Sequence, residues 1–200
     1  MVALDPQPPQ SGANHLKKMM TQTPVHGSQG KHERENSPAQ DDDALSKTGL
    51  GVLVDKARIQ TLIPHAGAMC LLEAVTAWDE AGIVCVTQTH RDPANPLRRQ
   101  DRLAMSHACE YGAQAAAIHG GLRAQAAGQS APAGYLAALR DVRWFAADLA
   151  AVDAPLEVAA HLVLGDADYC IYAIQVSAAG QTLAEARITI APQPKNGACS

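Results

Sequence analysis

The run LAMSHACEYGAQAAAIHG, residues 103–120, has the spacing of one long helix. Ala104, Ala108, Tyr111, Ala115 and Ala116 form one small apolar stripe, and Leu103, Met105 and Ile118 carry the apolar surface further around the cylinder. A helix that is apolar on most sides is a buried one. Gly120–Gly121 predicts its end, because glycine tolerates the left-handed conformation of a C-cap. Residues 122–132 then read as a flexible linker.

On both sides of this helix the pattern changes to that of strands. Upstream, residues 54–63 form a short helical or extended lead-in. IPHAGAM, residues 63–69, is a turn punctuated by Pro64 and Gly67. CLLEAVTAW (70–78) and IVCVTQTH (83–90) read as strands around a hairpin turn, and RDPANPLRRQDR (91–102) reads as a polar loop. Downstream, residues 135–145, 155–164, 169–178 and 181–191 read as further strands, with Gly180 opening the last hairpin. This order is an α+β pattern, and an antiparallel β-sheet wrapped around one long central helix satisfies it. The folded domain spans residues 50–191. The edges of its sheet must pair or be covered, which predicts a dimer with a continuous sheet.

The flanking segments differ in kind. Residues 1–47 are rich in Pro, Gly, Ser, Gln and charge, and cannot bury enough apolar surface to offset chain entropy. They are expected to be disordered, unless translation begins at Met19 or Met20. Residues 192–200 are expected to form a flexible tail. Hydrophobic residues make up 47% of the chain but aromatics only 4%, so the core must be built from Ala, Leu, Val and Ile. A net charge of -4, with both signs interspersed, leaves no electrostatic footprint for nucleic acid or an anionic membrane. No secretory h-region follows the N-terminus, and no apolar run reaches the roughly 18 residues of a bilayer span. A cytoplasmic location is expected, with neither nucleic acid nor membrane as partner. Cys70, Cys85, Cys109, Cys170 and Cys199 form no CxxC pair and read as reduced, mostly buried thiols.

Few polar residues are candidates for chemistry. Glu110 stands inside the apolar helix, and Gln114 four residues later and His107 three residues earlier share its face. A carboxylate in such a helix is costly unless it is paired or used, so Glu110 is either a working acid or a group facing water. His65, in the Pro-His-Ala-Gly turn with Gly67, is the second candidate; the alternative is an exposed turn histidine. His107 is placed to pair with Glu110 and orient it. His119 reads as a partner of the helix C-terminal dipole, and His90 and His161 as strand residues without an assigned partner. Cys109 has no base on its own face, since His107 two residues away points elsewhere. No histidine pair has metal-ligand spacing and there is no HExxH, so no metal is expected. There is no GxGxxG, P-loop or GxSxG, so dinucleotide, nucleotide and serine-hydrolase chemistries have no support.

These residues resemble a family. The strand–strand–helix–strands order is similar to that of the hotdog superfamily. CEYGAQAAA (109–117) resembles the central helix of 3-hydroxyacyl-[acyl-carrier-protein] dehydratases, and LIPHAGAMCLLEAV (62–75) resembles their Leu-Pro-His entry into the first strand. Together with GYLAALRDVRW (134–144), the combination is similar to the ApeP-like dehydratases of aryl polyene gene clusters. The resemblance covers nearly all of residues 55–191. It implies a substrate carried on phosphopantetheine with no further cofactor, an acyl carrier protein as partner, and a homodimer or a heterodimer with another hotdog protein. It implies that a histidine removes the α proton while the helix carboxyl, here Glu110, protonates the departing hydroxyl. The two groups may then come from different chains.

The sequence departs from the common dehydratases at one point. Their catalytic histidine, in a His-Phe-Pro-Gly loop, falls here on Pro96, and Ala104 and Met105 stand in place of their Pro-Gly at the helix start. His65 is the replacement base and His107 the fallback, with Gly67, His107 and Gln114 as substrate-binding residues. Arg98, Arg99 and Arg102 form a basic patch before the helix, read either as a solvated loop or as a dock for an acidic carrier protein or the pantetheine phosphate. Two other readings follow from the same residues: a hotdog acyl thioesterase, in which Glu110 activates water, and a non-catalytic acyl-binding partner of an active dehydratase.

Overall fold

The computed structural model describes residues 51–131, 133–166 and 169–193. The expected disordered segment 1–47 and residues 194–200 of the expected tail lie outside the described residues, as does Cys199. All named elements belong to one unit that begins at Leu53.

The chain enters through strand β1 (Val54–Asp55) and helix α1 (Lys56–Leu62). Asp55 starts α1 as its N-cap, its side chain accepting from Arg58 N at 2.8 Å. Ile59 is the residue α1 buries. Strands β2 (Ala74–Trp78) and β3 (Gly82–Thr87) form a hairpin. The long helix α2 (Ala108–Ala126) follows, entered through a 3-10 turn at Met105–His107. Strands β4 (Gly134–Trp144), β5 (Leu156–Gly165), β6 (Cys170–Ala178) and β7 (Gln181–Pro192) complete the chain. The seven strands form a single antiparallel sheet in the order β1-β2-β3-β5-β6-β7-β4. The connection from β3 to β4 must therefore cross the sheet from one side to the far edge, and α2 is that crossing.

The depth at which α2 sits is set by the smallest side chains. Ala108, Ala115 and Ala116 are buried. A Cβ at Gly112 would run into the Ile174 side chain of β6, and one at Gly121 would lie 3.3 Å from the Leu62 carbonyl of α1. This contact corrects the expected helix end. Gly120–Gly121 is not a cap; α2 continues five residues beyond Gly121 to Ala126, and residues 122–126 are helix rather than linker. Gly128, at φ +69, makes the left-handed exit, with its N–H donating to Gln125 O and that of Gln129 to Ala124 O. Strand boundaries lie within a residue or two of expectation on the C-terminal side. β2 begins later than expected, at Ala74, because Leu71 makes its hydrogen bonds to side chains instead of a ladder.

The two largest fully buried side chains are Tyr111 and Tyr172, and both hydroxyls are bonded. His119, expected at the helix dipole, is wholly buried in the core instead. Its Nε2 donates to Asp79 O at 2.7 Å, which leaves Nδ1 to accept from the Tyr172 hydroxyl at 3.0 Å. His90 is also buried, in a 3-10 turn after β3, with Nε2 3.0 Å from Val152 O.

Burial lowers the pKa of both histidines below the ordinary 6.5, against the opposing pull of their carbonyl partners. Between the folded value and 6.5 the unfolded chain therefore binds more protons, so stability falls as the pH drops through that window. The thermal midpoint should fall between pH 7.5 and 5.5. His119→Gln, which keeps a donor and an acceptor, should have a shallower dependence; calorimetry at the two pH values checks this.

Candidate active site

Glu110 lies in the first turn of α2, where the helix N-terminus favours negative charge. The turn after α1 brings His65 to it. His65 Nε2 is 3.3 Å from Glu110 Oε1, within one chain, and each side chain is about a third exposed (32% and 31%). The two groups meet within this chain because residues 63–71 fold back along the start of α2. Gly67, at φ +57, allows that fold-back by opening the 3-10 turn Gly67–Met69. It has open space where a Cβ would stand, so its backbone conformation, not crowding, calls for glycine.

Gln114 was expected to line the substrate site. It is wholly buried, and its amide is committed to protein. Oε1 accepts from Leu71 N at 2.9 Å; Nε2 donates to Met69 O and to Glu110 Oε1, both at 2.9 Å. The amide thus ties the carboxyl to the segment that carries His65. His107, expected to orient Glu110, is the N-cap residue of α2; among the described hydrogen bonds and ion pairs none joins it to Glu110, and its Nδ1 is buried without a partner. His65 Nδ1 is likewise buried and unpartnered. With Nε2 facing a carboxyl, the imidazole has one free lone pair to give or one proton to share.

The three arginines separate. Arg98 Nη2 donates to His90 O at 3.3 Å, and Arg99 Nη1 to the carbonyls of Pro96 and Arg98. Arg102 is 69% exposed and pairs with Asp148 at 3.1 Å. Burial opposes charge on Asp148, but the N–H groups of Leu103 and Ala150 and the Arg102 guanidinium outweigh it and hold its carboxyl below the usual range. Arg102 therefore fastens the approach to α2. Cys109 is buried, and desolvation raises its pKa, as it does for Cys70; a thiolate is disfavoured at both. Among the described residues there is no cluster of groups able to hold a metal ion.

The sequence reading missed a second set of polar residues behind the site. Thr87 and Thr89 hydroxyls lie 2.6 and 2.7 Å from the Leu71 carbonyl. Thr89 continues to the Tyr111 hydroxyl, and Tyr111 to Asn95. The alternation of Thr87 and Thr89, two residues apart at a strand end, was the one available signal.

An antiparallel sheet around a single helix whose first turn presents an acid to a histidine belongs to the hotdog class. The ApeP-like family (ApeP dehydratase) matches residues 57–198, and the chain belongs to that family. A similar solved structure is the dehydratase heterocomplex ApeI:P from Xenorhabdus doucetiae, at 25% identity and a TM-score of 0.63, covering 68% of this chain and 91% of that one. The PaaI protein of the Escherichia coli phenylacetic acid degradation operon is more distant, at 15% identity and a TM-score of 0.44, covering 58% of this chain and 80% of that one. No curated protein sequence matches the chain.

Replacing Gln114 with Leu keeps its approximate volume but strands the Leu71 N–H and the Met69 carbonyl in a dry interior. Each orphaned group costs about 1–3 kcal/mol. Gln114→Leu should lose several degrees of thermal midpoint with an unchanged far-UV spectrum, measurable by circular dichroism.

Proposed function

We propose that the protein is a 3-hydroxyacyl-[acyl-carrier-protein] dehydratase, removing water from a 3-hydroxyacyl thioester to give the trans-2-enoyl thioester, in fatty-acid-like or aryl polyene biosynthesis. The observation that carries this reading is the His65–Glu110 contact at 3.3 Å. Elimination needs one group to take a proton from the carbon next to the thioester and another to give one to the hydroxyl leaving the next carbon. His65 takes the first and Glu110 gives the second. The C–H electron pair becomes the double bond, and the C–O bond breaks to release water. The pair is then left as imidazolium and carboxylate. Because the two side chains touch, one proton passing from His65 to Glu110 restores the starting state.

The substrate rides on phosphopantetheine, and no other cofactor is part of this reading. The carrier docks at the 91–102 loop, where Arg99 is exposed and, among the described residues, bonds to carbonyls of its own loop. The cytoplasmic location expected from the sequence belongs to the same proposal; no helix among the described residues is long and apolar enough to cross a membrane.

Purified protein incubated with 3-hydroxyacyl carrier protein and read by mass spectrometry should show loss of water. Glu110→Gln and His65→Ala should each lower turnover by about 100-fold or more. Arg99→Glu should raise KM for the carrier-bound substrate and spare a small thioester analogue. Release of free thiol instead of an enoyl product would make the protein a thioesterase. Full activity in both site variants would remove the pair from the chemistry.

The protein also works as half of a paired sheet, in this reading with a second hotdog chain. Strand β4 is an edge, and Leu136, Leu139 and Trp144 pair with Ile190, Ile188 and Ala184, whose side chains belong to the core layer. Yet these three remain 37%, 45% and 43% exposed. A long edge with an uncovered apolar strip is a template for another strand. The similar heterocomplex supports a different hotdog subunit as partner, and a second copy of this chain is the other outcome. Leu139→Glu should shift the assembly toward monomer in analytical ultracentrifugation, with or without a coexpressed partner.

A further inference from the structure

Behind the candidate acid, the end of β3, the 91–102 loop and the first turns of α2 meet around one buried hydroxyl. Tyr111 is wholly buried, and a hydroxyl in such a place must find partners. It lies 3.0 Å from Asn95 Nδ2 and 3.2 Å from Thr89 Oγ1. Asn95 is 5% exposed, and its orientation is fixed by its other bonds. Its Oδ1 accepts from Leu97 N at 3.0 Å, and its Nδ2 also donates to Thr89 O at 2.8 Å. Tyr111 oxygen therefore receives an N–H from Asn95, and its single proton is free to point at Thr89 Oγ1.

The directions of the next bonds follow. Thr89 Oγ1 accepts from Tyr111 and gives its own proton to the Leu71 carbonyl, 2.7 Å away. Thr87 Oγ1 accepts from Thr89 N at 3.1 Å and donates to the same carbonyl at 2.6 Å. The Glu73 carboxylate is a second, longer acceptor for that proton at 3.2 Å, and it is itself held by the Gln88 N–H. A carbonyl oxygen has two lone pairs, and both of Leu71's are filled. On the other side of Leu71, its N–H donates to Gln114, whose remaining protons go to Met69 O and Glu110 Oε1. The line from the Asn95 amide through Tyr111, Thr89, Leu71 and Gln114 to the Glu110 carboxyl runs donor to acceptor at each step, with side branches to Thr89 O, Glu73 and Met69 O.

Two features separate this chain from ordinary core packing. It fixes Leu71 from both sides, and Leu71 closes the segment that carries His65. It also joins residues far apart in sequence: the Gln114 bond to Leu71 spans 43 positions and the Thr89 bond to Leu71 spans 18. The two hydroxyls and the His65–Glu110 pair thus share Leu71 as a common anchor.

We propose that Tyr111 and Thr89 are positioning residues for Glu110: their hydroxyls, acting through Leu71 and Gln114, hold the carboxyl at its 3.3 Å separation from His65. This rests on the reading of Glu110 as the catalytic acid. Tyr111 is wholly buried and the Thr89 hydroxyl is engaged by Tyr111 and the Leu71 carbonyl, so in this proposal both act through protein groups and not on substrate. Their removal should therefore lower kcat and leave KM nearly unchanged.

Tyr111→Phe keeps the ring, Thr89→Val keeps the shape, and Thr89→Ser keeps the hydroxyl. Assayed well below their thermal midpoints, Tyr111→Phe and Thr89→Val should lose about tenfold in kcat, as expected for a small displacement of a reacting group. KM should stay within about twofold, the signature of a loss confined to the bound complex. Thr89→Ser should behave as the unchanged protein. Lower thermal midpoints with unaltered kcat in the first two variants would overturn the proposal and leave a structural role. Crystal structures of Tyr111→Phe and Thr89→Val decide the matter without any assay. A His65–Glu110 separation and a Gln114–Glu110 bond unchanged in both would sink it, and displacement of the carboxyl would uphold it. Glu110→Gln assayed beside them keeps the two ideas apart: if it turns over normally, the dehydratase reading fails, while the structures still judge the network.

Discussion

Everything in this protein depends on how closely α2 approaches the sheet and α1. At Gly112 a Cβ would run into the Ile174 side chain, which leaves no room for one, and at Gly121 it would lie 3.3 Å from Leu62, a tight contact. Ala115 and Ala116 between them, and Ala108 one turn before Gly112, present methyl groups to the core. Larger side chains along this line would lift the helix away from the sheet. Hydrogen bonds tolerate little of that, since their strength falls away beyond a few tenths of an ångström. The Gln114 bonds to Leu71 and Met69 have that tolerance and no more. The height of the helix in the sheet is also the height of Glu110 relative to His65.

A core poor in aromatic residues places two tyrosines near opposite ends of α2. Tyr111, close to the N-terminal end, connects the helix to Thr89 and Asn95. Tyr172, on β6, meets His119 edge-on toward the C-terminal end, with ring centroids 5.6 Å apart, and burial pushes its hydroxyl up to about 12. Each ring contributes apolar area, and each hydroxyl fixes direction, because a buried hydroxyl without a partner is costly. Packing alone would let a smooth, Ala-lined helix slide or turn. These two polar anchors fix its rotation about its axis, and that rotation decides which way Glu110 points.

Local pattern carried much of this into the sequence. The helix was legible from its Ala stripe, the last hairpin from Gly180, and the Glu110–Gln114 pair from four-residue spacing. Gly121 was misread as a cap because a missing Cβ looks the same whether it serves a left-handed turn or a close crossing, and Leu62, which distinguishes them, is far away in sequence. The His65 contact was suggested by resemblance and a Pro-Gly turn, but its formation within one chain required the 63–71 segment to be seen in place. Thr87 and Thr89 looked like the polar face of a strand end. Their partner is a backbone carbonyl, which leaves no mark in a sequence. His119 was misplaced for a similar reason: its partners, Asp79 O and Tyr172, come from elements that only the tertiary fold brings together.

The site and the sheet edge differ in completeness, and the difference bears on why such a chain would associate. Imidazole and carboxyl already meet within one chain. The sheet, by contrast, ends on a strand exposed along nearly its whole length, on which Leu136, Leu139 and Trp144 face the helix layer without being covered by it. Burying such area is worth about 25 cal/mol for each Å², which makes cover for β4 the larger unmet demand. Cover for this edge would act first on the fold. His65 and Glu110 are each still a third exposed, so water reaches their contact and weakens it relative to the same contact in a dry interior.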